Sequence, residues 1–218
     1  MQSVAPAMAE RGAFAAFIID GLSGGRRLEG FGSVFVALLR ELAKGFPVPA
    51  RALAAASGQS LDQVDAVLRQ ALDIEYDPVG NIIGYGITLR QTPHAFEVEG
   101  RSLYTWCALD TLMFPALIGK PARVKSLCPE TGIPVSLVVD PHELCAMDPA
   151  GAAVSLVAPQ TDIRQSFCCQ VHFFASRDAG DRWARRHPQV TVVSVEAAFL
   201  IGQEVARQII DRAVTAPP

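Results

Sequence analysis

Within the apolar run Leu103–Phe114 a thiol and a carboxyl stand three residues apart, Cys107 and Asp110. A cysteine acts as nucleophile or metal ligand in its thiolate form, so a base within reach turns a buried thiol into a reagent. Read as a single helix, the run sets Leu109, Leu112 and Met113 at packing spacings. The same reading brings Cys107 and Asp110 onto one face, because residues i and i+3 are neighbours there. Farther along, Gln165–Ser166–Phe167–Cys168–Cys169–Gln170–Val171–His172–Phe173–Phe174 carries two adjacent cysteines in an aromatic run. Read as a strand, it turns Cys168 and Cys169 to opposite faces, so one of them meets Cys107 in a common pocket, and the pattern does not say which.

Each residue also has an ordinary reading. A cysteine in an apolar run is usually a small buried hydrophobe. Asp110 is harder to place that way, since carboxylates are rarely buried unless paired, although a wet helix face would also accommodate it. Cys128, in Leu127–Cys128–Pro129–Glu130–Thr131–Gly132, looks like half of a zinc knuckle but has no C-x2-C partner anywhere in the chain, so a buried structural role is expected. Cys145 has no matching partner, and His172 and Trp106 read as core.

The segments Trp106–Thr111 and Arg164–Cys169, with His172–Ala175 behind the second, closely resemble the alkylmercury (organomercurial) lyases. The resemblance continues through Phe114–Gly119 and Val193–Phe199 and covers most of the chain beyond about residue 30. It implies an enzyme that cleaves carbon–mercury bonds to a hydrocarbon and Hg(II). Carried over residue by residue, it implies Cys107 and Cys168 as the catalytic, mercury-binding thiols and Asp110 as the proton-handling carboxyl. Asp110 is also a candidate mercury contact. Cys169 falls on a cysteine the family does not strictly require, and is either core or a spare thiol that helps pass mercury on. The resemblance implies no organic cofactor, low-molecular-weight thiols for product release, and a mercuric reductase as acceptor of Hg(II).

The residue types suit that chemistry. Mercury in R–Hg⁺ is a soft centre for which thiolates are the preferred ligands. Its bond to carbon breaks only if a proton reaches carbon as the electron pair arrives there. A second thiolate makes that carbon more basic. A free thiol titrates near about 8.5 and an ordinary Asp near about 3.9, so Asp110 can take a thiol proton as a carboxylate. It can hold that proton near neutrality only if apolar neighbours such as Trp106, Leu109 and Phe167 raise its pKa.

The chain has 218 residues, half of them hydrophobic, and a net charge of −3. That is length for one large domain or two small ones, and it gives no electrostatic sign of nucleic-acid or membrane partners. No apolar run is long enough to span a bilayer, and Glu10 and Arg11 interrupt the start where a signal peptide would need an apolar core. Five cysteines, an odd number, fit a reducing cytoplasm better than a disulfide scaffold. No G-x-x-x-x-G-K-[ST] phosphate loop is present.

The expected fold class is α+β: a winged helix-turn-helix-like unit, then a mixed sheet-and-helix catalytic domain. Residues 1–30 read as an arm with a short docking helix at Phe14–Ile19. Residues 31–92 read as three helices and a hairpin, with Ser60 and Gln63 as a capping box and the hairpin pairing Ile74–Tyr76 with Ile82–Tyr85. Residues 93–218 read as the domain carrying the cysteines, with a hairpin of Ala122–Cys128 on Ile133–Val139, strands at Ala153–Val157 and Val190–Val195, and a helix from Glu196 to Arg212. A groove reader should carry positive charge, yet the third helix holds Asp62, Asp65 and Asp73 against Arg69, and the wing holds Glu75 and Asp77. The unit therefore reads as a packing or lid module. The alternatives are a metal-responsive transcriptional regulator and a structural zinc or thiol–disulfide protein.

Overall fold

A computed structural model of the chain describes residues 8–22, 30–71, 73–157 and 167–214. The first helix, α1 (Met8–Leu22), is longer than the docking helix expected at Phe14–Ile19 and buries Ala15, Ile18 and Ile19. The remainder of the expected arm, residues 1–7 and 23–29, lies outside the described residues, as do Arg164, Gln165 and Ser166.

Three helices follow: α2 (Phe31–Leu42), α3 (Ala50–Ser57) and α4 (Leu61–Gln70). Ser60 accepts the Gln63 amide and the Gln63 side chain accepts the Ser60 amide, so the capping box reads directly from sequence into structure. The wing is β1 (Glu75–Tyr76) paired antiparallel with β2 (Ile82–Tyr85) around Asp77, whose carboxylate accepts the amides of Val79 and Asn81. Glu75 departs from expectation. It is not a solvated wing acid but points into the interior, so the acidity assigned to the wing surface rests on Asp77.

The wing does not stand apart. Strands β1, β2 and β3 (Ile87–Thr88) continue into β4 (His94–Val98), β5 (Arg101–Thr105), β6 (Ala122–Leu127), β7 (Pro134–Val139) and β8 (Leu144–Asp148). All eight form one antiparallel sheet in the order β1-β2-β3-β5-β4-β6-β7-β8, which runs unbroken past residue 92. The strand β8 carries exposed Cys145 at the edge of this sheet. A smaller sheet orders β10 (Phe173–Phe174), β9 (Ala153–Val157) and β11 (Val190–Ser194).

The single helix expected over Leu103–Phe114 is corrected by β5. Residues 103–105 belong to the strand, where Leu103 and Thr105 alternate inward against β4, and the helix α5 (Ala108–Ile118) begins only after Cys107. Its helical residues are buried apart from Ala116, as befits a helix that is apolar all round. Among the described residues two helices lie later in the chain, α6 (Arg177–Ala184) and α7 (Val195–Val214). Phe199, Val205 and Ile209 of α7 face inward, as their spacing predicts. At Gly202 the backbones of α7 and α5 come so close that a Cβ would lie 3.3 Å from the Met113 nitrogen.

One buried histidine carries a stability prediction. His94 of β4 has its Nδ1 2.9 Å from the Ser126 hydroxyl and its ring 6.2 Å from that of His172. Burial, with the nearby His172 charge, pushes its pKa down to about 3. The folded value lies below the ordinary one near about 6.5, so between these values the unfolded chain binds the extra proton and stability falls as pH drops. Relative to His94→Gln, the wild-type protein should lose about 2 kcal/mol between pH 7 and 5, or about 4–8 °C in Tm, in calorimetry at the two pH values.

Candidate active site

Helix α5 begins with Cys107 as its N-cap in extended backbone, φ −145° and ψ 171°. Asp110 is the third helical residue, and its Oδ2 accepts the Cys107 amide at 3.0 Å, while the Asp110 amide faces the Cys107 sulfur. The pair is thus a capping box in which sulfur, a weaker acceptor, takes the place of a hydroxyl. The i, i+3 relation expected from sequence holds, but at a helix start rather than within one.

The second thiol arrives on a different element from the one expected. Phe167 leads into a 3-10 turn at Cys168–Gln170 instead of a strand, and pairing resumes at β10. Ser155 of β9 holds the turn by donating to the Gln170 carbonyl at 2.7 Å and accepting the His172 amide at 2.8 Å. The Val171 carbonyl accepts the Ala108 amide at 3.1 Å. One of the amides that a helix start leaves without an intrahelical partner is therefore satisfied by the segment bearing Cys168, which sets the two cysteine segments side by side. Cys168 is buried and Cys169 exposed. The separation inferred from strand alternation thus arises from the 3-10 turn.

The Cys107 and Cys168 sulfurs and an Asp110 oxygen all lie within 4.8 Å of one another, the one group of three metal-binding side chains among the described residues. Cys107 is 0 %, Cys168 6 % and Asp110 7 % exposed. Cys169, the further candidate mercury contact, lies outside this group. Desolvation raises Asp110 to about 7, against the opposing pull of the Cys107 amide, the Cys107 side chain and the Trp106 amide. That shift corresponds to something on the order of 4 kcal/mol favouring the neutral acid. Burial also lifts Cys107 well above an ordinary thiol, reinforced by its hydrogen bond with Cys168 and by the charge of Asp110. A buried cluster of two sulfurs and an acid poised near neutrality can bind a soft cation and deliver a proton beside it.

The other flagged residues fall elsewhere. Cys128 is buried at the turn between β6 and β7, where burial raises its thiol but hydrogen bonds from Thr131 and from the amides of Ala175 and Glu130 leave it below an ordinary thiol. His172 is half-buried, edge-on to Trp183. Phe14 of α1 sets its ring 6.3 Å from that of Phe167, beside the second thiol. Sequence reasoning missed the Val171–Ala108 and Glu75–Trp106 bonds. Gly84, a glycine inside a strand, was the one available sign of a close approach there.

Fold and site together define a helix-turn-helix unit joined by a shared sheet to an α+β domain that buries two thiols and a carboxyl side by side. The family model for the helix-turn-helix domain of alkylmercury lyase matches residues 14–86, and that for alkylmercury lyase matches residues 87–207. The chain belongs to the alkylmercury lyase family. It is 53% identical to an alkylmercury lyase of Pseudomonas putida over 89% of its length and 92% of that protein's. It is 47% identical to one of Streptomyces lividans over 79% and 81%. A crystal structure of the mercury-bound form of MerB2 shares the fold, with a TM-score of 0.73 at 22% identity over 92% of this chain and 99% of that one. Among the described residues no helix is long and apolar enough to cross a membrane.

Proposed function

We propose that the protein cleaves the carbon–mercury bond of organomercurials by protonolysis, with Cys107 and Cys168 binding mercury and Asp110 carrying the proton. The observation that supports this reading most is the convergence of two buried sulfurs and a buried carboxyl within 4.8 Å of one another. Cys168, as thiolate, takes up R–Hg⁺. Cys107, whose thiol is held protonated by burial, gives its proton to the Asp110 carboxylate and joins the metal as the second sulfur. The carbon–mercury bond then breaks toward carbon, which takes the proton from Asp110. The balance is R–Hg⁺ with one thiolate and one thiol going to R–H and a neutral dithiolate of Hg(II), with Asp110 returned to its carboxylate.

Water cannot displace mercury from two thiolates, so release requires competing thiols, either small molecules or the cysteine pair of a mercuric reductase. A reducing cytoplasm supplies the former. The helix-turn-helix unit serves packing rather than nucleic-acid binding. Asp62 and Asp65 lie on α4, and the shared sheet ties the wing to the site. No organic cofactor takes part.

Gas chromatography tests the reading. With excess thiol, the purified protein should release methane from methylmercury or benzene from phenylmercury, one hydrocarbon per mercury over many turnovers. Thiol-dependent binding of the organomercurial with no hydrocarbon above a protein-free control would overturn it.

A further inference from the structure

Glu75 is an acid in a place that should not hold one without cause. It is 6 % exposed, on a two-residue strand, and both its oxygens are engaged: Oε2 accepts the Thr88 hydroxyl at 2.5 Å and Oε1 the Trp106 indole N–H at 3.1 Å. Glu75, Gly84 and Thr88 stand directly opposite one another across β1, β2 and β3, so they share a face of the sheet. The carboxylate lies across Gly84, where a Cβ would meet Oε2 at 2.6 Å and the Thr88 hydroxyl at 2.7 Å. Only glycine leaves that lane open. Burying a carboxylate is costly unless its acceptors are filled, and here they are filled by groups leading to one place.

That place is the residue before Cys107. The Trp106 amide donates to the Gly86 carbonyl at 3.0 Å, its ring stands edge-on to Tyr85 with centroids 5.5 Å apart, and Glu75 holds the far end of its indole. The backbone then passes straight to Cys107, whose amide bonds Asp110. A residue pinned at both its amide and its ring fixes the chain direction at the next α-carbon, and hence the aim of the Cys107 sulfur and amide.

The geometry points to Glu75 as a positioning residue for cleavage. Through Trp106 it sets the angle at which Cys107 meets Asp110, coupling the wing to the chemistry. This rests on Cys107 and Asp110 being the reacting groups proposed above. It places no part of Glu75 in contact with substrate.

The test uses the full chain in a Trp183→Phe background, which leaves Trp106 as the one indole of the two in the sequence. Glu75→Ala should slow single-turnover cleavage of phenylmercury about 10- to 100-fold while stoichiometric capture is unchanged, because a misaimed group costs rate rather than binding. Glu75→Gln, whose amide oxygen still accepts the indole N–H while Thr88 turns to accept, should recover to within about threefold. The Trp106 emission should shift in Glu75→Ala and return in Glu75→Gln. A Glu75→Ala protein that cleaves within about twofold of its parent, or a Glu75→Gln as slow as Glu75→Ala, would overturn the proposal. Should Glu75→Ala fail to fold, Trp106→Phe decides, since it keeps an aromatic ring against Tyr85 and loses the indole donor. A rate loss of about tenfold or more in the folded variant supports positioning, and a parental rate overturns it. Absence of hydrocarbon from the parent itself would instead strike the lyase reading, whereas the emission comparison between Glu75→Ala and Glu75→Gln would still read the coupling.

Discussion

Replacing either Cys107 or Cys168 with alanine should lower hydrocarbon release at least about 10³-fold, and the double replacement should cost little more than either alone. The non-additivity follows from how the sulfurs work. One thiolate satisfies the affinity of mercury for soft ligands but leaves the metal-bound carbon nearly as inert as in the free organomercurial. Only the second sulfur, arriving as its proton departs to Asp110, supplies both electron density and acid. Each single variant should therefore still bind one equivalent of phenylmercury, visible by mass spectrometry as a stable adduct that is not converted to benzene. Cys169→Ala should keep its rate within about threefold, because that side chain is exposed while its neighbour is buried beside Cys107 and Asp110. A Cys168→Ala protein that turns over at half the parental rate beside an inert Cys169→Ala would reverse the assignment. Small side chains replace small ones here, so both cysteine variants should fold, and loss of structure would not explain the loss of rate.

How these residues meet was only partly legible in the sequence. Spacing alone brought Cys107 and Asp110 together, because i and i+3 are adjacent at a helix start as well as within one. It did not reveal that Cys107 is the cap. Leu103 and Thr105 look helical when the eye follows the apolar run onward, but their period of two belongs to a strand, and the switch of period falls at Trp106 and Cys107. Likewise the aromatic run around Cys168 reads as strand by composition. Ser155, far away in sequence, satisfies a carbonyl and an amide there and lets the backbone turn instead. Long-range hydrogen bonds of this kind leave no local pattern. Glu75 shows the same limit from the other side. Counted as a wing charge it argued about nucleic acid, whereas in the fold it is an interior group whose acceptors are filled from β3 and from the residue that leads into α5.

Asp110→Ala should separate capture from cleavage. Both sulfurs remain, so organomercurial uptake should stay stoichiometric, but protonation of carbon should slow by about 10²- to 10⁴-fold, the usual worth of a positioned acid. The adduct should accumulate and be measurable by mass, with benzene appearing slowly; parental rates would remove Asp110 from the proton path. The pH dependence has a definite sign. Desolvation raises the carboxyl to about 7, so above that value it is mostly the carboxylate that can take the Cys107 proton, and single-turnover cleavage of a preformed adduct should rise as pH rises through the neutral range. Stability follows the same group. The folded value lies above the ordinary one near about 3.9, so the contribution is fully present below pH 3.9 and is lost as pH rises through 7. Asp110→Asn, uncharged throughout, should therefore gain on the wild type by up to about 1.4 kcal/mol per pH unit over that window. His94 titrates alike in both proteins and cancels from the difference. A melting-temperature gap that stays flat from pH 5 to 8 would mean that the carboxyl is ionised in the fold at little cost, and the cleavage midpoint expected near neutrality would fall with it.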